Sequence, residues 1–136
     1  MAYCKILMAD DDPEDREIIG EAIDQLHHEK ILCYAANGEE VLNLLESNDD
    51  QCSLCLIILD LNMPRLNGTQ TLKALKQDER FSSIPVIIYS TSVNPMEKEK
   101  CINLGAHSYV IKPVSYKESL ETAKSFLKFC GLSFPA

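Results

Sequence analysis

"LCLIILDLNMPRLNG", residues 54–68, decides how this chain must fold. Its first six residues, Leu54-Cys55-Leu56-Ile57-Ile58-Leu59, are apolar without a break. A strand with one wet face would alternate polar and apolar residues. A short unbroken run is what a strand buried on both faces requires, and it is too short for a buried helix. The run stops at a charge, Asp60, and Pro64 and Gly68 then punctuate the segment that follows. A fully buried strand that delivers a carboxylate to its end is therefore the first expectation.

Working outward, similar apolar runs lie at about 3–9, 31–35, 84–89 and 108–111. Between them the apolar residues take helical spacing. Ile18, Ile19, Ala22, Ile23 and Leu26 mark one helix face, and Val41, Leu42, Leu44 and Leu45 a second. Leu72 and Leu75 sit in a third, and Cys101, Ile102 and Leu104 in a fourth. Leu120, Ala123, Leu127 and Cys130 form the stripe of a fifth. Asn37 with Glu40, Asn94-Pro95 with Glu97, and Ser115 with Glu118 each place a cap before an acid three residues later. Strands alternating with helices predict an α/β domain: a doubly wound, five-stranded parallel sheet with five helices on its two faces and right-handed crossovers.

The chain has 136 residues, of which 46% are hydrophobic, enough for one domain with its own core. One domain over 1–136, with its core at about 3–130, is expected. Twenty-one acidic residues against 13 basic ones give a net charge of −8. That excludes a basic nucleic-acid surface and fits poorly with an anionic membrane. No apolar run is long enough to span a bilayer, and the N-terminus lacks the features of a signal peptide, so a cytoplasmic location is expected. In a reducing compartment the six cysteines read as small hydrophobes. Cys52 and Cys55 have a C-x-x-C spacing, but no second pair completes a metal site. The pair His27-His28 near Cys33 reads better as a solvated helix end.

In an open α/β sheet, ligands bind beyond the carboxyl ends of the strands. The first strand ends in Asp10-Asp11-Asp12, the third in Asp60, the fourth in Ser90-Thr91-Ser92 and the fifth in Lys112-Pro113. Carboxylates, a hydroxyl and an ammonium group thus converge on one sheet edge. Carboxylates meeting there need a cation between them, and Mg²⁺ accepts one or two carboxylates while leaving room for phosphate oxygens. A carboxylate can also be a nucleophile toward phosphorus, and a metal ion with a lysine would stabilise the charge in transfer. Asp12 differs from its neighbours. It precedes Pro13, Glu14 and Asp15, which is the pattern of an N-cap and an acidic first turn, so its expected role is structural.

With these motifs in their order and spacing, the chain resembles the receiver domain of two-component response regulators. The motifs are Asp10-Asp11, Asp60-Leu61-Asn62-Met63-Pro64 with Gly68, Ser90-Thr91, and Lys112-Pro113. "DDDPED" (10–15) and "DLNMPRLNG" (60–68) resemble the phytochrome-associated stand-alone receivers in particular. The resemblance implies the flavodoxin-like strand order 2-1-3-4-5 and a protein that is not an enzyme beyond its own phosphotransfer and autodephosphorylation. It implies that Asp60 is the phosphoacceptor and that Asp10 and Asp11 organise Mg²⁺ together with Asp60, Asp11 as a direct ligand. Asn62 would give a backbone carbonyl to the metal, and Lys112 would pair with the phosphoryl oxygens. Ser90 takes the switch-hydroxyl position by register, although Thr91 and Ser92 also offer hydroxyls. Tyr109 takes the aromatic switch position, or is a plain core tyrosine. The Lys112–Pro113 peptide is often cis in the family.

The implied partners are a histidine kinase, for which the likeness to phytochrome-associated receivers suggests a phytochrome-type sensor, and an unidentified downstream protein. The chain ends shortly after its fifth helix, so output through protein contacts is expected. The receiver would act as a monomer or as a homodimer through the face of the fourth helix and fifth strand. Phe126 and Phe129 are read equally as core or as part of that face. Asn62 and Ser92 are expected to tune the lifetime of the phosphoryl group. Three rivals remain on the sequence: an unphosphorylated receiver-like module, an aspartyl-nucleophile phosphohydrolase, and a dinucleotide-binding domain. The second lacks an acid at Asn62, and the third lacks its glycine-rich turn.

Overall fold

Side chains alternate across a strand, so a strand buried on both faces must feed two cores. The strands of this chain do so. The computed structural model describes residues 4–27, 31–47 and 53–131. In chain order the elements are β1 (Cys4–Ala9), α1 (Pro13–Gln25), β2 (Leu32–Ala35), α2 (Gly38–Ser47) and β3 (Ser53–Leu59), then α3 (Gly68–Gln77), β4 (Val86–Ser90), α4 (Pro95–Asn103), β5 (Ser108–Ile111) and α5 (Tyr116–Lys128). All neighbouring strands pair in parallel, in the order β2-β1-β3-β4-β5. Leu7, Ile57, Leu59, Val86 and Ile88 face one core with Val41, Leu45, Leu72, Leu75 and Cys101 from α2, α3 and α4. Ile6, Met8, Leu56, Ile58, Ile87 and Tyr89 face the other with Ile19, Ile23, Ala123, Phe126 and Leu127 from α1 and α5.

The helix starts follow their sequence signals. Asp12 caps α1 by accepting from Glu14 N at 2.9 Å. Asn37 accepts from Glu40 N at 2.9 Å, and Ser115 caps α5 by accepting from Glu118 N at 3.1 Å. Asn94 caps α4 through Met96 N, while Glu97 turns to the Ser92 hydroxyl instead of closing a box. The complete capping box is at α3, where Asn67 and Gln70 exchange bonds of 2.9 and 3.0 Å. Strand β4 starts two residues later than its apolar run. Pro85 has no N–H for the ladder, and the carbonyl of Ile84 is taken by Lys76 Nζ at 2.9 Å.

Several expected core residues lie outside. Ile18, Leu44 and Ile102 are 41%, 37% and 40% exposed. Each sits beside residues that carry the buried stripe, so the buried face is one residue narrower than the apolar spacing predicts. Phe126 is fully buried, edge-on to Tyr89 at 5.9 Å between ring centres, which assigns it to the core. Phe129 is partly buried and meets exposed His107 edge-on at 4.9 Å.

The cysteines require a correction. Cys55 and Cys130 form a disulfide, with Cα atoms 5.4 Å apart and a separation of 75 in sequence. Helix α5 follows the last strand and runs back along the sheet, toward the end where the strands begin. Its end therefore meets the beginning of β3, on the sheet edge away from Asp60. Cys52 of the C-x-x-C spacing and His28 of the histidine pair lie outside the described residues. Opening the Cys55–Cys130 bond, by a reductant or by Cys130→Ser, is expected to lower stability by roughly 2–4 kcal/mol through the long loop it closes. Denaturant unfolding with and without reductant measures this; coincident transitions would contradict it.

Candidate functional site

The site forms where β1 and β3 lie side by side but send their following helices to opposite faces of the sheet. The ladder continues one residue past each strand. Asp10 N donates to Ala35 O at 3.0 Å, and Asp60 N donates to Ala9 O at 3.0 Å. That fixes both backbones and sets the two carboxylates next to each other. Asp10 is 0% and Asp60 7% exposed, whereas Asp11 is open to solvent. One oxygen from each of Asp10, Asp11 and Asp60 lies within 4.8 Å of the others.

The third aspartate of the run has another task. Asp12 turns its side chain to the α1 cap, while its own N–H donates to Asp10 Oδ1 at 3.0 Å. Asp10 Oδ2 is buried and accepts no aligned hydrogen bond. Its compensation is charge: Lys112 Nζ lies 2.9 Å away. The same ammonium reaches Asp15 Oδ2 at 2.6 Å and Asp60 Oδ1 at 3.5 Å. Its face toward the core stands 5.6 Å from the Tyr89 ring centre. Lys112 is itself placed by its backbone, whose N–H donates to Ser90 O at 2.9 Å. Among the described residues no peptide bond is cis, so Lys112–Pro113 is trans.

This crowding sets the protonation equilibria. Burial and the neighbouring Asp10 charge push Asp60 up to about 6, against the pull of Lys112. Burial also raises Asp10, opposed by the Asp12 N–H and by Lys112. For Lys112, burial alone would favour loss of the proton. Its contacts with Asp15 and Asp10 and the charges of Asp10 and Asp60 outweigh burial, and its proton is held more tightly than usual.

Glycine permits the packing behind Asp60. A Cβ on Gly68 would fall 2.2 Å from the Asp60 carbonyl oxygen, so α3 can approach the site backbone only without a side chain there. Asn62, two residues past Asp60, is exposed. Ser90 is buried at the end of β4 and accepts from Ser92 N at 3.0 Å, which leaves its own proton to donate. Tyr109 is half-buried and its Oη donates to Ser92 O at 3.0 Å, tying β5 to the loop before α4.

A model of the response regulator receiver domain matches residues 6–124. The chain belongs to that family. Among similar curated proteins, the receiver is 33% identical over 120 residues to the chemotaxis protein CheY1 of Helicobacter pylori, covering 86% of this chain and 94% of that one. It is 29% identical over 119 residues to the two-component response regulator ORR1 of Oryza sativa, covering 84% of this chain and 51% of that one. Among solved structures, it superposes on the phosphorylated cyanobacterial phytochrome response regulator RcpA with a TM-score of 0.81 at 25% identity, over 98% and 99% of the two chains. RPA3017, of red light signalling in R. palustris, gives a TM-score of 0.80 at 27% identity over the same shares. The receiver is thus a response regulator module of two-component signalling, with the flavodoxin-like strand order expected. Receiver domains are signalling modules, and this chain is one of them.

The geometry brings Asp10, Asp11, Asp60 and Lys112 together, with Ser90 at the end of the adjoining strand. Asp15 is the site residue that sequence reasoning missed. It read as a helix-dipole acid, and its partner Lys112 lies 97 residues away. The division within Asp10–Asp12 yields a testable contrast. Asp12→Ala is expected to cost about 1 kcal/mol of stability through the lost cap and to leave divalent-cation affinity within a factor of about two. Asp11→Ala is expected to abolish that affinity while the fold persists. Calorimetric titration of both variants decides; equal losses would refute the division.

Proposed function

We propose that Asp60 accepts a phosphoryl group from a histidine kinase in a Mg²⁺-dependent transfer, and that the resulting charge is read by another protein. The observation that carries this reading is the placement of Asp60 within 4.8 Å of Asp10 and Asp11 oxygens and 3.5 Å from the Lys112 ammonium. An all-oxygen donor set with one buried carboxylate oxygen lacking a hydrogen bond suits a hard cation such as Mg²⁺. Asp10, Asp11, Asp60 and the Asn62 carbonyl would hold it. When bound, Mg²⁺ would neutralise phosphoryl oxygens and align the donor with Asp60.

The chain's own groups supply the rest. An Asp60 oxygen attacks phosphorus, the bond from phosphorus to the donor imidazole nitrogen breaks, and that nitrogen keeps the electron pair. With a pKa of about 6, Asp60 is mostly ionised at neutral pH and ready to attack. Lys112 balances charge on the transferred group. Ser90 donates its free proton to a phosphoryl oxygen, which requires movement of the turn it now anchors through Ser92 N. Tyr109 is held to the same turn through Ser92 O, so that movement would reach β5. Exposed apolar side chains on this side, Val93, Met96, Ile102 and Ile111, offer a downstream protein, or a second copy, a surface on which to read the change.

Exposed Ile18, Val114 and Tyr116 border a groove that Pro113 also lines, and they offer the kinase a place to dock. The likeness to RcpA and RPA3017 supports a phytochrome-type sensor upstream. No helix among the described residues is long and apolar enough to cross a membrane, and we place the receiver in the cytoplasm with its kinase. Slow loss of the phosphoryl group to water, tuned by Asn62 and Ser92, would reset it.

Incubation with acetyl phosphate and Mg²⁺, followed by intact mass measurement, tests the reading. One labile phosphoryl adduct is expected, absent when EDTA is present during the reaction. No adduct from acetyl phosphate or a cognate kinase would favour the unphosphorylated module. Multiple turnover of phosphate esters would favour the hydrolase.

A further inference from the structure

We propose that Asp15 is a positioning residue for Lys112: it fixes the ammonium so that one N–H stays directed at the Asp60 side of the site. This rests on the phosphoacceptor reading above. Three carboxylates surround Lys112 Nζ, but they hold it differently. Asp10 Oδ2, at 2.9 Å, attracts it by charge without an aligned hydrogen bond. Asp60 Oδ1, at 3.5 Å, is at the limit of contact. Asp15 Oδ2 accepts a hydrogen bond at 2.6 Å.

Location supports the assignment. Asp15 belongs to the first turn of α1, where Glu14 supplies the same benefit to the helix dipole and Asp12 supplies the cap. Neither reaches the lysine, and Glu14 is exposed. The Asp15 side chain is 25% exposed and that of Lys112 only 9%, so Asp15 stands between the ammonium and water. A lysine has a flexible stem and three donors. Without Asp15, the ammonium would be drawn by charge alone, toward Asp10 or out to solvent. Asp15 adds a negative charge to a site that must receive a phosphoryl group, which is unfavourable unless it serves the lysine. A donor already in place need not reorganise during transfer, and misplacement by about 1 Å can cost on the order of a hundredfold in rate.

The test compares wild type with Asp15→Ala, Asp15→Asn and Asp15→Glu, all checked for folding by circular dichroism. In the metal-free protein, the ¹⁵N signal of the Lys112 ammonium should be sharp and slowly exchanging. It should broaden or vanish in Asp15→Ala and return in Asp15→Glu. With saturating Mg²⁺, phosphorylation by acetyl phosphate should slow at least tenfold in Asp15→Ala and recover in part in Asp15→Glu. Mg²⁺ affinity should stay within about twofold. Asp15→Asn, nearly isosteric, should fall between and serves if the alanine variant does not fold. An unchanged ammonium signal with an unchanged rate would overturn the proposal, as would faster phosphorylation, which would make Asp15 a restraint. Absence of phosphorylation in the wild type would instead defeat the phosphoacceptor reading, and the metal-free ammonium signal would still judge Asp15.

Discussion

Lys112→Met is expected to lower the stability of the metal-free protein by about 3–5 kcal/mol at neutral pH, the usual cost of removing one partner from a buried ion pair. The side-chain volume is kept, so the loss is electrostatic. Asp10 and Asp60 would remain buried with their charges and without the ammonium at 2.9 and 3.5 Å. The pH dependence separates this from a packing defect. With Lys112 gone, the pKa of Asp60 would rise further above its present value of about 6. A carboxylate whose folded pKa is raised binds its proton more tightly in the folded state. Its favourable contribution is complete below the unfolded value and is lost as pH rises through the folded one. The variant should therefore regain stability on acidification from pH 8 toward pH 5, and Mg²⁺ should restore part of it at neutral pH. Urea unfolding at several pH values checks both. A deficit independent of pH and of Mg²⁺ would assign Lys112 to packing.

Asp60→Asn should have two effects of opposite kind. Phosphorylation should be lost, because an amide offers no nucleophilic carboxylate. Stability of the metal-free protein at pH 7 should rise by on the order of 2–3 kcal/mol. In the wild type, burial and Asp10 raise Asp60 from 3.8 to about 6, so at neutral pH the folded state holds an ionised group it disfavours. The sign follows the same rule: wild-type stability should fall as pH rises from about 4 to about 6, and the asparagine variant should lack that fall. Mg²⁺ affinity of the wild type should weaken below pH 6, because the ligands must lose their protons to bind metal. A variant less stable than wild type at pH 7 would show that Lys112 compensates Asp60 fully and that the site stores no charge repulsion.

Much of this arrangement was legible in the chain. The unbroken run 54–59 fixed a doubly buried strand, and the charges that end the strands fixed the site, because both follow from local patterns. Asp12 separated from Asp10 and Asp11 on capping chemistry alone. What stayed hidden was non-local. The Asp15–Lys112 contact spans 97 residues and the Cys55–Cys130 bond 75, and no spacing encodes either. The C-x-x-C spacing drew attention to Cys52 and Cys55, while the fold brought Cys130 to Cys55. Exposed Ile18 and Ile102 read as core because an apolar residue beside a buried stripe is indistinguishable from it in sequence. Phe126 posed the reverse difficulty, and only its contact with Tyr89 assigned it to the core.

The central claim is that Asp60 takes the phosphoryl group, and mapping the acyl phosphate tests it most directly. The protein is treated with acetyl phosphate and Mg²⁺, the adduct is trapped by borohydride reduction, and the modified residue is located by peptide mass spectrometry. Modification at Asp60, and none at Asp10, Asp11 or Asp15, is the predicted result. A trapped adduct at another aspartate, or an adduct that persists in Asp60→Asn, would contradict the account.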